Sequence, residues 1–142
     1  MTDTTLLTPH GRSFSFVDTC DVFETEKRAL GAKWLDPKSP FFEAHFPGKP
    51  LMPGVLLVEC AAQVAGILWQ IIDKADSKTP LFLAQVGQFR FLKPVLPKET
   101  VRIEVILEKE MGPLAQFASI LWVGHDRVAQ GGFALSREQV TA

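Results

Sequence analysis

The sequence predicts an α+β domain in which one long apolar helix is wrapped by a curved antiparallel sheet of five to six strands. Three observations lead to this class. A proline precedes about twenty good helix formers, apolar residues alternate with polar ones after them, and turn-forming residues separate the alternating segments. Because the helix is apolar on nearly every face, it needs cover on nearly every side, and a curved sheet provides it.

The segments before the helix are short and end in a long loop. Apolar and β-branched residues open the chain at 14–17 and 28–35. Prolines and glycines between 36 and 53 break the pattern into a loop. Pro53 suits the first turn of a helix, and the residues from Gly54 to about 73 would form a rod of roughly 30 Å. Such a helix is long for this chain, so we expect it to be central.

The segments after the helix have a period of two. Val101, Ile103 and Val105 alternate with Arg102 and Glu104, which is typical of a half-buried strand. Turn residues at 94–97, 112–113 and 124–126 punctuate this half of the chain, so most strands are expected in consecutive antiparallel order. Further strands are predicted at 81–91, 115–123 and 127–135.

Bulk composition indicates one ordinary domain, residues 1–142. The net charge is -1, so no global basic field exists to hold nucleic acid or an anionic membrane. Cys20 and Cys60 are far apart, as expected of reduced thiols in a cytosolic protein. The start lacks a signal-peptide pattern, and the interrupted apolar run at 55–68 is too short to span a bilayer. We therefore expect a cytoplasmic protein with no membrane span and no nucleic-acid partner.

A histidine and a glutamate flank the start of the predicted helix. His45 lies in a proline- and glycine-rich loop, where a lone histidine is usually a surface residue. Glu59 follows fourteen residues later, and its sequence neighbours are apolar. Two interpretations are open: its carboxyl group is buried, or it belongs to a narrow polar stripe with Gln63, Gly66 and Gln70 that faces solvent or a partner subunit. In one cleft, apolar surroundings would favour the neutral form of the glutamate and leave the histidine unprotonated. The pair would then offer an acid and a base at the same pH.

The helix start between these two residues supplies a third element. Backbone N–H groups in the first turn of a helix have no helical acceptor, so those at Gly54 and Val55 can hold a developing oxyanion. The positive end of the helix dipole helps. A base, an acid and an oxyanion hole are the parts needed to remove a proton beside a carbonyl and expel a β-hydroxyl.

The central motif resembles a known enzyme family. Residues 42–55 read FEAHFPGKPLMPGV and lead to Glu59 and Gln63. This run resembles the (3R)-3-hydroxyacyl-[acyl-carrier-protein] dehydratases of bacterial fatty-acid synthesis, the FabZ type. Thr8-Pro9-His10 is similar to the opening of that family, and the run RFLKPV at 90–95 is similar to its strand and turn after the helix.

The resemblance implies a hot-dog fold and a site shared between two copies. His45 of one subunit would remove the α-proton of a 3-hydroxyacyl chain linked to acyl carrier protein through phosphopantetheine. Glu59 of the other subunit would protonate the departing hydroxyl, while the Gly54 N–H stabilises the thioester oxygen. The product would be a trans-2-enoyl thioester. No cofactor and no metal ion are expected, and the histidine, aspartate and glutamate spacings give no recognisable metal site.

The same resemblance bears on two other residues near the helix. Gln63, one turn beyond Glu59, would orient the carboxyl or serve as a buried helix–helix contact. The related isomerising branch of the family has aspartate where this chain has Glu59, so simple dehydration is favoured. Neither His10 nor His125 is assigned a function.

Departures from the family concern the substrate rather than the chemistry. The chain has no tyrosine, and the aromatic gate of the family falls on Phe82, which lacks a hydroxyl. The usual Ile-Asp-Lys run is Val86-Gly87-Gln88 here, followed by Phe89. These side chains would line the acyl tunnel and change its chain-length preference, although ordinary core packing would explain Phe89 as well.

Partners and rival functions complete the expectations. Acyl carrier proteins are acidic, so Lys49, Arg90 and Lys93 are candidate docking residues, unless they are simply solvated. At least a dimer is expected, and the sequence leaves open a homodimer, a hexamer or a heterodimer with a paralogue. The pathway would be fatty-acid synthesis or a specialised polyene or polyketide route. The alternatives are an acyl thioesterase, in which the glutamate activates water, and a non-catalytic hot-dog subunit.

Overall fold

The computed structural model describes residues 2–3, 16–44, 48, 50–74 and 80–138. In this part of the chain one long helix packs against one antiparallel sheet, which confirms the predicted α+β class and the hot-dog fold. The helices are α1 (Pro40–Ala44) and α2 (Gly54–Ile72), and a 3₁₀ turn spans Glu24–Glu26. The strands are β1 (Thr2–Asp3), β2 (Thr19–Phe23), β3 (Arg28–Trp34), β4 (Phe82–Phe91), β5 (Thr100–Met111), β6 (Leu114–Val123) and β7 (Asp126–Ser136).

The sheet has the strand order β1-β2-β3-β5-β6-β7-β4. Every pairing in it is antiparallel. The chain leaves β3, forms α2, and returns as β4 at the far edge of the sheet, so α2 crosses the concave face between the two edges. Apart from the two-residue β1, the described strands number six, at the upper end of the predicted five to six.

Helix α2 is the centre of the core. Its buried residues run from Leu57 to Gln70 with one half-buried exception, Glu59. The sheet approaches closely at Gly31, where an added Cβ would lie 2.6 Å from Cγ2 of Val64. By length and composition α2 could span a membrane, but most of it is buried inside the domain, as befits a core helix. The predicted central helix is therefore confirmed.

Two local features differ from the sequence-based expectation. The first full strand lies at Thr19–Phe23, after the apolar run at 14–17, because the strand pairs by register with β3. The long loop before α2 contains the short helix Pro40–Ala44, in which Phe42 is buried. Apolar content alone did not reveal either element.

The C-terminal end of α2 is tied to the sheet by polar contacts. The indole Nε1 of Trp69 donates a hydrogen bond to Glu110 Oε1 at 2.7 Å. The guanidinium of Arg137 stacks on the Trp69 ring, 4.0 Å from its centroid, and pairs with Asp73. These contacts hold the last turn of the helix to β5 and to the end of β7.

Both cysteines are buried and reduced. Burial is the main cause that raises the pKa of Cys20 from 9.0 to about 12, and it does the same for Cys60. A raised pKa favours the protonated thiol at neutral pH, which is the less nucleophilic form.

Candidate active site

Glu59 lies in the second turn of α2 and is the half-buried exception on a buried helix face. Its Oε1 accepts a hydrogen bond from Nε2 of Gln63 at 3.0 Å. The two residues are one helical turn apart, the spacing at which side chains on a helix meet. The carboxyl group is therefore held by its own helix.

Gln63 is itself held by a segment outside the helix. It is only 5% exposed, and its Oε1 accepts a hydrogen bond from the backbone N–H of Phe16 at 2.8 Å. Because a backbone N–H can only donate, the carbonyl end of the amide must face Phe16 and the NH₂ end must face Glu59. The segment before β2 thereby determines which way Gln63 presents its donor to the glutamate.

The N-terminus of α2 presents backbone donors. The preceding residue, Pro53, makes no side-chain capping bond, so none of its side-chain atoms satisfies the first N–H groups. The N–H groups of Gly54 and Val55 have no acceptor within the helix. Val55 is 72% exposed, which leaves this end of α2 open on one side.

An apolar cleft of about 510 Å³ lies against this helix start. Its walls come from residues 51–55 with Leu57, and from the end of β4 and the turn after it, 91–95. The Phe91 ring lies directly on Gly54: an added Cβ would be 2.9 Å from the ring Cε1. The helix start, the cleft and an aromatic wall thus form one site.

The predicted site residues fall into separate places. Gly54 and Val55 line the cleft, whereas Glu59 and Gln63 lie further along α2 and do not line it. Phe89 is half-buried against the core and packs on Phe91, with ring centroids 5.5 Å apart. The lining side chains of this cleft also do not include Phe82.

The docking candidates are also divided. Lys93 lines the cleft, and its Nζ pairs with Asp126 at 3.0 Å. Arg90 instead lines a shallow polar depression of about 450 Å³ on the outer face of the sheet, together with Arg127. His45 and Lys49 lie outside the described residues, as does His10, and His125 lies in the turn between β6 and β7. Among the described residues, no group of three histidine, cysteine, aspartate or glutamate side chains is placed to hold a metal ion.

Comparison with known proteins identifies the family. Residues 8–132 match the family model of the FabA-like domain, so the chain belongs to the FabA-like family. The curated protein from Herpetosiphon aurantiacus named 3-hydroxyacyl-[acyl-carrier-protein] dehydratase FabZ is 37% identical over 130 residues, which cover 92% of each chain. The protein of the same name from Erwinia tasmaniensis is 34% identical, over 94% of this chain and 89% of its own. The expected FabZ-type family is confirmed.

Solved structures show the same fold. A chain of the dehydratase heterocomplex ApeI:P from Xenorhabdus doucetiae superimposes with a TM-score of 0.82 at 14% identity, covering 98% of this chain and 93% of that one. An uncharacterized protein from Pyrococcus horikoshii has a TM-score of 0.67 at 17% identity, covering 99% of this chain and 97% of that one.

Two participants in the site were not identified from the sequence. The Phe16 backbone N–H left no signal, because a backbone donor looks the same at every residue. Phe91 did leave a signal in the sequence. It lies two residues after the candidate Phe89, and alternate residues of a strand share a face. Its contact with Gly54 depends on how β4 lies against the helix start, which periodicity does not determine.

We expect Gln63→Leu to lower the free energy of unfolding by about 1–3 kcal/mol, because the Phe16 N–H loses its acceptor in a part-buried site. Hydrogen exchange of the Phe16 amide, followed by NMR, should become faster. Gln70→Leu is the matched control, since Gln70 is 6% exposed on the same helix and the Phe16 N–H donates to Gln63 instead. Unchanged protection of Phe16 in Gln63→Leu would contradict the contact.

Proposed function

We propose that this chain is a 3-hydroxyacyl-[acyl-carrier-protein] dehydratase that converts a (3R)-3-hydroxyacyl thioester into a trans-2-enoyl thioester and water. The observation that carries the proposal is a carboxyl group held by Gln63 on a helix whose uncapped start opens on an apolar cleft. Relatives with this name match about nine-tenths of the chain.

The chemistry divides among three groups. His45 accepts the proton from C2 of the acyl chain, and the electron pair moves towards the thioester carbonyl. The Gly54 N–H donates to the oxygen on which this negative charge develops. As the C2–C3 double bond forms, the C3–O bond breaks, and Glu59 gives its proton to the departing oxygen, which leaves as water. Protons balance between His45 and Glu59, so the reaction needs no external oxidant or reductant.

The geometry of α2 supports a site shared between two copies. Glu59 follows Gly54 by five residues, which on an α-helix is roughly 140° around the axis and 7.5 Å along it. The glutamate therefore points away from the cleft at its own helix start. A second copy of the chain can bring its Glu59 to that cleft, whereas this copy's glutamate lies beside Gln63 in its own helix.

Strand β4 offers the surface for such pairing. It is an edge of the sheet, and Leu83 and Val86 are 45% and 44% exposed. Their partners across β7, Leu135 and Phe133, are buried on the helix side, so these two exposed side chains face that side as well. Pairing two β4 edges continues the sheet and lets the helix of the second copy cover Leu83 and Val86.

Antiparallel pairing of β4 with the β4 of a second copy also accounts for the position of Phe82. Phe82 and Phe91 are the two ends of β4. Leu83, Val86 and Phe89 face the helix side through their pairing with β7, so a symmetric pairing centred at Val86 keeps like faces together. It also brings the Phe82 end of one strand beside the Phe91 end of the other. Phe82 then lies at the junction of the two copies, next to the shared site, where it serves as the aromatic gate.

We expect the protein to sediment as a dimer or a larger assembly at micromolar concentration. Leu83→Lys with Val86→Lys should shift it to monomer, because two charges would enter the buried interface. Leu96→Lys adds a charge at a residue that is 45% exposed but lies outside β4, and it should leave the assembly intact. Measured mass also separates dimer from hexamer, and co-purification separates homodimer from heterodimer. A monomeric wild type would rule out the shared site.

For the catalytic pair, His45→Ala and Glu59→Gln should each lower kcat/KM by roughly 10²–10⁴. Turnover of 3-hydroxybutyryl- and 3-hydroxyoctanoyl-carrier protein is followed by enoyl absorbance, and circular dichroism checks the fold. Release of free thiol without enoyl absorbance would assign the protein to the thioesterases instead.

Mixing the two inactive variants tests whether the site is shared. In a mixed dimer one of the two sites would contain both an intact histidine and an intact glutamate. Random exchange between equal amounts should therefore restore about a quarter of wild-type activity. A site built within one chain would give no recovery.

The carrier protein docks on the outer face of the sheet at Arg90 and Arg127. Both line the polar depression, and among the described residues neither forms an ion pair. Lys93 is less suited because Asp126 already balances its charge. Two uncompensated guanidinium groups beside the end of β4 fit an acidic carrier on this face of the sheet.

Arg90→Ala and Arg127→Ala should each raise KM for the carrier-linked substrate and leave the rate with an N-acetylcysteamine thioester unchanged. Steady-state kinetics at low and high salt measure this, because screening weakens exposed charge pairs. Arg102→Ala is the control: this arginine lies outside the depression and bonds the Gly124 carbonyl. Equal effects on both substrates would show that these arginines do not bind the carrier.

The cellular setting follows from the proposed activity. The chain acts in the cytoplasm on acyl chains carried by phosphopantetheine, in fatty-acid synthesis or in a polyene or polyketide route. A solved chain with the same fold belongs to a dehydratase heterocomplex. A paralogous partner subunit is therefore one outcome that the assembly experiment tests.

A further inference from the structure

Phe91 lies unusually close to the backbone of the helix start. A Cβ built on Gly54 would be 2.9, 3.0 and 3.1 Å from the Cε1, Cζ and Cδ1 atoms of the Phe91 ring. Contacts this short require one side to move. Glycine at position 54 is therefore what lets the ring lie on the helix start.

One side of the Phe91 ring packs against the protein, and the other side is exposed. The Phe91 backbone pairs with Ala129 of β7, and the Phe89 ring packs beside it at 5.5 Å between centroids. The Phe91 side chain is nevertheless 52% exposed and forms part of the cleft wall. The position of the ring is fixed by these contacts, and its exposed side lies beside the Gly54 N–H. The ring therefore limits the space that is available to a ligand bound at this N–H.

We propose that Phe91 is a specificity-determining residue that excludes acyl chains with a substituent at C2. This inference rests on the proposed function. When the thioester oxygen accepts a hydrogen bond from the Gly54 N–H, the carbonyl carbon is one bond away from that oxygen and C2 is two bonds away. C2 therefore lies close to the helix start. The ring occupies the space beside that N–H, so a methyl group on C2 would meet it. The rest of the acyl chain continues beyond C3, where Phe91 does not limit its length.

The first experiment compares 3-hydroxybutyryl- with 2-methyl-3-hydroxybutyryl-carrier protein, using both C2 epimers. Wild type should favour the unbranched substrate in kcat/KM by roughly 10- to 200-fold, the range that one misplaced methyl group can produce. Phe91→Ala should reduce that ratio by at least tenfold while the octanoyl-to-butyryl ratio stays the same. Leu96→Ala, an exposed apolar residue outside the cleft, should change neither ratio.

A double-mutant cycle tests the contact itself. Gly54→Ala should displace the ring and lower activity in the wild-type background, and it should have a smaller effect when Phe91 is already alanine. Fully additive effects would show that the ring does not act through Gly54.

A binding measurement tests the role of Phe91 separately from the proposed dehydratase activity. Unreactive pantetheine amides of the branched and unbranched acids are titrated calorimetrically into wild type and Phe91→Ala. If wild type dehydrates neither substrate, the proposed function fails, and the amide affinities alone decide the role of Phe91. An identical branched-to-unbranched ratio in the two proteins, by turnover or by binding, would overturn the inference.

Discussion

Burial of α2 within the sheet is the constraint on which the rest of the structure depends. A helix enclosed in this way must be apolar, and any polar side chain on it needs a partner, because an unpaired buried polar group costs about 1–3 kcal/mol. Gln63 meets this demand by bonding the Phe16 N–H on one side and Glu59 on the other. The same requirement that stabilises the core therefore orients the carboxyl group that the proposed chemistry uses.

The helix also separates the groups that the reaction needs to combine. Its start supplies backbone donors beside an apolar cleft, and its second turn carries the glutamate on a different side. A straight helix cannot turn both towards one substrate. In the proposed dimer, the exposed edge of β4 would let a second copy contribute the missing carboxyl. Catalysis and assembly would then depend on the same strand.

Glycine at position 54 links the sheet to the helix start. Without a side chain there, the Phe91 ring of β4 reaches the helix backbone and closes one side of the cleft. The small residue thus determines the shape of the cleft beside the backbone donors of the helix start.

The sequence by itself determined the class of fold, the central helix, the strands after it and the family, because hydrophobic periodicity and a specific motif are local properties of the chain. It also pointed to Glu59, Gln63 and Gly54 as one functional group. Only the tertiary structure decided that Phe16 orients Gln63, that Phe91 covers Gly54, and that Arg90 faces a different surface from Lys93. Each of these depends on contacts between residues far apart in the chain, and such contacts are set by how the sheet wraps the helix.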